Sequence, residues 1–272
     1  MIKKEPRKIF KPLSEDRKAF ISDLAEFIHE EYRSSNGFDP FRLADHIGLK
    51  YSIGSYGSYF DGRLEYQDGE FFIFINESLS KSRDRLKFTM AHELGHFFID
   101  DHRNALANGL SPAHSSFTGF STNSIIEQEA DFFAACLLMP EQRFKRDYCQ
   151  NRKFSFNVVY SLSEAYHTSI LATLYRLFFL DVHPMMIIRV SADNTNKIDL
   201  IRKSKDFYFY PKHNYSKLPE ESALFEAIRT DIWKEKTQDV WTGDWFETKS
   251  DKKLYEHLLN YKSYYLSILW KD

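Results

Sequence analysis

Ser82-Arg-Asp-Arg-Leu-Lys-Phe-Thr-Met-Ala-His-Glu-Leu-Gly-His-Phe-Phe-Ile99 is the stretch from which the rest of the chain is best read. Its pattern predicts one long helix carrying His92-Glu93-Leu94-Gly95-His96 in its second half. Residues four apart on a helix share a face, one turn above each other. His92 and His96 can therefore offer two imidazole nitrogens to one ion. Glu93 is one residue on from His92 and does not fit that coordination pair; it can instead reach a water held by the ion. Zinc brings the pKa of such a water to about 7, so Glu93 can take its proton and hand it to a leaving amine. This is the HExxH arrangement, and it points to metal-assisted hydrolysis of a peptide bond.

A third donor is needed, and two places compete for it. His102 follows His96 by six residues, a spacing that elsewhere requires a glycine where this chain has Ile99, so that the backbone can turn sharply out of the helix. Without that glycine, Asp100-Asp101-His102 reads as the polar end of the helix. The other place is the apolar helix expected over Ile125 to Met139. Glu127-Gln-Glu-Ala-Asp131 puts Glu127 and Asp131 on one of its faces, together with core positions. Two carboxylates so placed are costly to bury unless a cation satisfies them. The facing argument favours Glu127 as metal ligand, with Asp131 accepting a histidine N–H, to give a two-histidine, one-glutamate site with an open position. Glu129 points away and reads as a solvated first-turn acid.

Working outward, apolar residues at Phe20, Leu24, Phe27, Ile28 and Tyr32 predict a helix over Ser14 to Tyr32. Asp39-Pro40 opens a short helix closed by Gly48. Strands follow over 49–76, with a hairpin signal at Asp68-Gly69. The run Phe71 to Ile75 lacks alternation, reads as a strand buried on both faces, and is a place where an extended substrate could pair. Asp100 to Ser124 is rich in Asn, Gly, Ser, Pro and Thr and reads as a surface loop, with His114 in it. Leu162 to Leu177 suggests two short helices around a tight turn. Beyond Pro184 strands are expected at Met186 to Val190, Ile198 to Ile201 and Phe207 to Tyr210, then a helix over Glu220 to Trp233. Tyr264, Leu266, Ile268 and Trp270 alternate as a one-sided strand would.

Composition bounds the functional classes. A formal net charge of −2 announces no global basic field for nucleic acid or anionic membrane. The basic residues between Lys3 and Lys18 read as a solvated leader. Two cysteines, Cys136 and Cys149, make neither a disulfide framework nor a four-sulfur site. With no signal core and no membrane-length apolar run, a cytoplasmic location is expected.

Arg85-Leu-Lys-Phe-Thr-Met-Ala-His-Glu-Leu-Gly-His96, followed by Glu127-Gln-Glu-Ala-Asp-Phe-Phe-Ala-Ala-Cys-Leu-Leu-Met-Pro140, closely resembles the ImmA/IrrE family of metallopeptidases. Phe41-Arg-Leu-Ala44, Phe60-Asp-Gly62 and Phe72-Ile-Phe-Ile-Asn76 also look like that family's lead-in. Lys87 and Met90 depart mildly from its usual residues. The resemblance implies that Glu93 is the catalytic base, that His92, His96 and Glu127 bind the metal, and that the substrate is a helix-turn-helix repressor. It also implies a helix-turn-helix-like segment near Leu162 to Leu180 and, on placement alone, a sensor-like C-terminal domain.

The expected architecture is α+β throughout: a zincin-like peptidase domain over 1–150, a helix-turn-helix-like linker over 151–182, and a small antiparallel-sheet α+β domain over 183–272. The expected activity is zinc-dependent regulatory proteolysis, with manganese as the other candidate metal. Direct nucleic-acid binding is not expected, because Arg152, Lys153 and Arg176 are too few for the usual phosphate contacts. The rival reading is a transcription regulator that uses this segment and carries a purely structural metal site.

Overall fold

The computed structural model describes residues 13–35, 37–77, 82–110, 114–116, 124–151, 153–192, 198–209, 218–230, 235–261 and 264–271. Lys3, Lys4, Arg7, Lys8 and Lys11 lie outside these residues, as do Pro112, Gly119, Arg152 and Tyr210. The chain packs as two units. One runs up to Arg146 and takes in Ser163–Ala172; the other holds Asp147–Leu162 and the chain from Thr173 onward. The segment expected as a linker, 151–182, is divided between them.

In the first unit, four helices begin where a side chain takes up an orphan backbone N–H. Ser14 accepts from Arg17 N at 3.2 Å and opens α1 (Glu15–Tyr32). Asp39 accepts from Phe41 N at 3.0 Å and opens α2 (Pro40–His46). Ser82 does the same for α3 (Arg83–Phe98), and Ser124 for α5 (Ile125–Leu138), after which comes α6 (Glu141–Cys149). Between α3 and α5 lie α4 (Asp100–Ala107) and the short β4 (His114–Ser116). The segment expected as one loop over 100–124 thus begins as a helix.

A mixed sheet of β1 (Lys50–Gly54), β2 (Gly62–Gln67), β3 (Glu70–Asn76) and β4 runs in the order β1-β3-β2-β4. Asp68 and Gly69 both take positive φ, 52° and 86°, as a two-residue hairpin turn between β2 and β3 requires. β3 pairs with β1 along one side and with β2 along the other, so an extended substrate cannot add to it. Its Ile73 and Ile75 are buried while Phe72 and Phe74 are only half-covered. The strand therefore alternates, contrary to the expectation of burial on both faces.

Helix α3 packs on the sheet and on α5, and α5 packs on α1. Gly95 makes the close approach of α3 to α5 possible: a Cβ there would lie 3.1 Å from the Phe133 ring and 3.2 Å from Ala130 Cα. From Ala130 to Leu138 every residue of α5 is buried, so this part of the helix is enclosed all round.

The second unit is built on an antiparallel sheet of β5 (Met185–Ser191), β6 (Ile198–Lys203), β7 (Lys236–Trp241), β8 (Lys253–Tyr261) and β9 (Tyr264–Trp270), in the order β6-β5-β9-β8-β7. One face carries Met186, Ile188, Val190, Leu254, Leu258 and Leu269. It is covered by Leu224 of α9 (Ala223–Thr230) and by Phe207, Trp245 and Phe246. On the other face Phe156 stacks on His257 and Phe154 meets Trp270 edge-on. β9 is the central strand and is buried on both faces from Leu266 to Trp270, so it is not one-sided. Phe207 to Phe209 is not a strand. α7 (Phe156–Tyr166) and α8 (Ile170–Phe179) flank His167, whose φ of 52° makes the tight turn expected there. The fold class is α+β, as the sequence implied. Among the described residues no helix is long and apolar enough to cross a membrane.

Candidate metal centre

His92 and His96 stand one turn apart on α3 and both are buried. Their Nε2 atoms lie 3.2 Å apart. Glu127, in the first turn of α5, presents Oε2 at 3.3 Å from His92 Nε2 and Oε1 at 3.5 Å from His96 Nε2. Three donors bound tetrahedrally at zinc distances of about 2.0–2.1 Å would be separated by about 3.3 Å from one another. The observed separations match that edge length, and the donor set of two imidazoles and one carboxylate suits a borderline ion of this kind. His92, His96 and Glu127 thus form a group able to hold a metal ion.

The electrostatics of the three are tightly coupled. Burial acts to lower the His92 pKa, but hydrogen bonds to Asp131 and Glu127 outweigh it and hold the ring up at about 10. At His96 burial prevails, and the pKa is pushed down to about 3. Glu127 is held well below the usual carboxylate range. Burial opposes that shift, but the hydrogen bonds from the two histidines dominate.

Asp131 lies one turn beyond Glu127 on α5, as the facing argument required, with Oδ1 2.9 Å from His92 Nδ1. That contact orients the ring and leaves Nε2 turned to Glu127. His102 arrives by a route the sequence reading did not foresee. The chain turns at Ile99 with ordinary φ −76° and ψ 108°, so no glycine is needed. α4 then carries His102 back, buried, to place its Nδ1 3.2 Å from His96 Nδ1. This is the ring nitrogen on the far side of His96 from Glu127.

Glu129 is the clearest correction. It is buried, with Oε2 2.9 Å from His102 Nε2, and it receives Arg17 Nε at 2.9 Å and Nη2 at 2.7 Å. Arg17 lies 112 residues earlier in the chain. No local pattern around Glu129 could have announced such a partner.

Glu93 is fully buried on the sheet side of α3. Gly62, at the start of β2, is what makes room for it. A Cβ there would fall 2.5 Å from Glu93 Oε1 and 2.6 Å from Thr89 Cγ2. The loop leading to Gly62 is pinned by Asn76, which accepts from Tyr56 N and donates to the carbonyls of Gly57 and Phe60. Arg85 on α3 bonds Asp61 just before it. Asp61-Gly62 could be read in the sequence as a break between strands, but not as the floor under a carboxylate.

With this geometry in view, residues 54–178 match the M78 peptidase family, described as the IrrE N-terminal-like domain. That segment carries the domain, which supports the resemblance to the ImmA/IrrE family. A solved structure from Mycobacterium tuberculosis, titled a transcriptional regulator, is similar in fold with a TM-score of 0.63. Its sequence identity is 13%, and the match covers 94% of this chain and 78% of that one. No curated protein matches in sequence.

Proposed function

We propose that this protein is a zinc-dependent endopeptidase of the cytoplasm that cuts a specific protein substrate, a helix-turn-helix repressor. The observation that carries the reading is the donor triangle of His92, His96 and Glu127, with Glu93 buried beside it. An ion held by three protein donors keeps a position open, polarises a carbonyl and acidifies a water, whereas a structural site is closed by four. His102, the natural fourth donor, faces away from the triangle, which argues against the structural-site rival. Zinc suits the donor set, and manganese is the alternative.

Glu93 moves the proton in this scheme, from the attacking water to the leaving amine. Its place over Gly62 holds it at the end of β2 where β4 pairs, in the register Gly62↔Ser116. An extended segment added at the β4 edge would run past this point, so the repressor must expose such a segment to be cut. The α7–α8 pair offers little to DNA, since Arg176, one of its few cations, is buried. Recognition of a repressor by protein contacts fits that surface better than recognition of its operator.

The test is incubation of zinc-loaded protein with candidate repressors and with casein, alongside the Glu93→Gln variant. One discrete cut in a repressor, casein left intact, and a variant that binds zinc normally yet is slower by several powers of ten are the expected results. General digestion of casein would make this a housekeeping peptidase. Loss of zinc from Glu93→Gln would mean that Glu93 is a ligand.

A further inference from the structure

On the far side of His96 from Glu127, side chains from three helices form a line. His96 Nδ1 lies 3.2 Å from His102 Nδ1. His102 Nε2 lies 2.9 Å from Glu129 Oε2. Arg17 then holds both oxygens of Glu129, with Nε at 2.9 Å from Oε1 and Nη2 at 2.7 Å from Oε2. Its Nη2 also reaches Asp101 Oδ2 at 3.1 Å. His96, His102 and Glu129 are all buried, so each contact needs a donor facing an acceptor.

The directions of these hydrogen bonds follow from the far end. A guanidinium only donates, so Arg17 makes Glu129 an acceptor at both oxygens. Glu129 must then receive the proton of His102 Nε2. A neutral imidazole carries one N–H, so His102 Nδ1 is left as an acceptor. It can meet His96 Nδ1 only if that nitrogen bears the hydrogen, and the lone pair of His96 is thereby forced onto Nε2, toward Glu127 and His92. Reversing His102 would put its hydrogen on Nδ1, move the hydrogen of His96 to Nε2, and leave His96 unable to donate a lone pair to an ion.

We infer that Arg17 and Glu129, acting through His102, are positioning residues that select the metal-competent tautomer of His96. This rests on the reading of His92, His96 and Glu127 as a metal site. Asp131 does the same for His92 in a single step. His96 meets a second imidazole at the corresponding nitrogen and obtains the same effect through it. The device ties α1, α4 and α5 to one nitrogen of α3.

Glu129→Gln tests it, because an amide beside Arg17 offers both a donor and an acceptor and no longer dictates the direction. Two measurements are made: zinc affinity by competition with a chromophoric chelator, and the His96 tautomer in metal-free protein by long-range ¹H–¹⁵N correlation. The wild type should show His96 with its hydrogen on Nδ1. The variant should show a mixture, and should bind zinc about 10–100-fold more weakly. Arg17→Gln, which leaves the buried residues in place, should move both readouts the same way and serves if Glu129→Gln does not fold. An unchanged His96 tautomer in the folded variants would overturn the inference. Failure of the wild type to take up zinc would instead overturn the metal reading, while the tautomer measurement would still judge the chain of contacts.

Discussion

Apart from Glu93, each unit of this protein buries a glutamate, and the two are treated in opposite ways. Glu129, in the first unit, is met by the guanidinium of Arg17 and by His102. Glu256, on β8 of the second unit, is fully buried and is met by neutral donors. Ser267 Oγ donates to Oε1 at 2.6 Å, Trp245 Nε1 to Oε2 at 3.4 Å, and the backbone N–H of Ala223 adds a third bond. Burial prevails over those three bonds and pushes the Glu256 pKa up to about 7. A carboxylate clamped by a permanent cation becomes a fixed acceptor that can set the direction of a hydrogen-bond chain. One surrounded by neutral donors becomes a group that titrates near neutral pH. Buried charge in the first unit is architecture for a site; in the second it is a source of pH-dependent stability.

The largest effect that could break this contrast concerns the donor triangle. If the buried charges of the first unit are organised around an ion, Glu127→Ala should lose zinc affinity by far more than the about 10–100-fold expected of a residue that only orients a ligand. His102→Ala and Glu129→Ala should fall within that smaller range. A chelator titration of the three variants decides the matter. Should His102→Ala be the most damaging, His102 is a ligand and the chain of contacts behind His96 has been misread.

Gly62→Ala is expected next in size. The added methyl would meet Glu93 Oε1 at 2.5 Å, and a displacement of about 1 Å of a reacting group can cost about 100-fold in rate. kcat should fall by about that factor while zinc affinity stays unchanged, since the atoms nearest the added methyl belong to Glu93 and Thr89. Equal loss of metal binding would show that β2 supports the whole centre and not only Glu93.

What the sequence disclosed and what it hid divide along physical lines. His92, His96, Glu127 and Asp131 stood out because each pair lies four apart on a helix, so one local period brings them onto a face. α4 stayed hidden because its composition, Asp100-Asp-His-Arg-Asn-Ala-Leu-Ala107, is that of a loop, and it buries only His102 and Leu106. The burial of Glu129 depends on Arg17, which no periodicity connects to it. β9 was read as one-sided from its own alternation, yet Ser267 and Leu269 face Glu256 and the α9 side, while Trp270 packs with Phe154 on the other. Local patterns revealed the residues whose partners are near in sequence; long-range burial accounts for the rest.

The smallest effect is also the most particular to the second unit. Glu256, with a folded pKa of about 7 against an ordinary 4.5, holds a proton that the unfolded chain has already lost as pH rises between those values. Stability from this source is fully present below about pH 4.5 and is lost as pH rises through 7. His257, its neighbour on β8, works in the other direction: burial pushes its pKa down to about 4 from 6.5. The unfolded chain then holds the extra proton, so that contribution is present above about pH 6.5 and is lost as pH falls through 4. Each slope is at most about 1.4 kcal/mol per pH unit, and over their shared window the two oppose each other. The wild type should therefore be nearly flat between pH 5 and 6.5. Glu256→Gln should make stability rise with pH across that window, and His257→Asn should make it fall. All four tryptophans lie in the second unit, so urea unfolding followed by tryptophan emission reads this unit selectively. Parallel curves for the wild type and Glu256→Gln would mean that the carboxyl is ionised in the fold, and the contrast with Glu129 would then disappear.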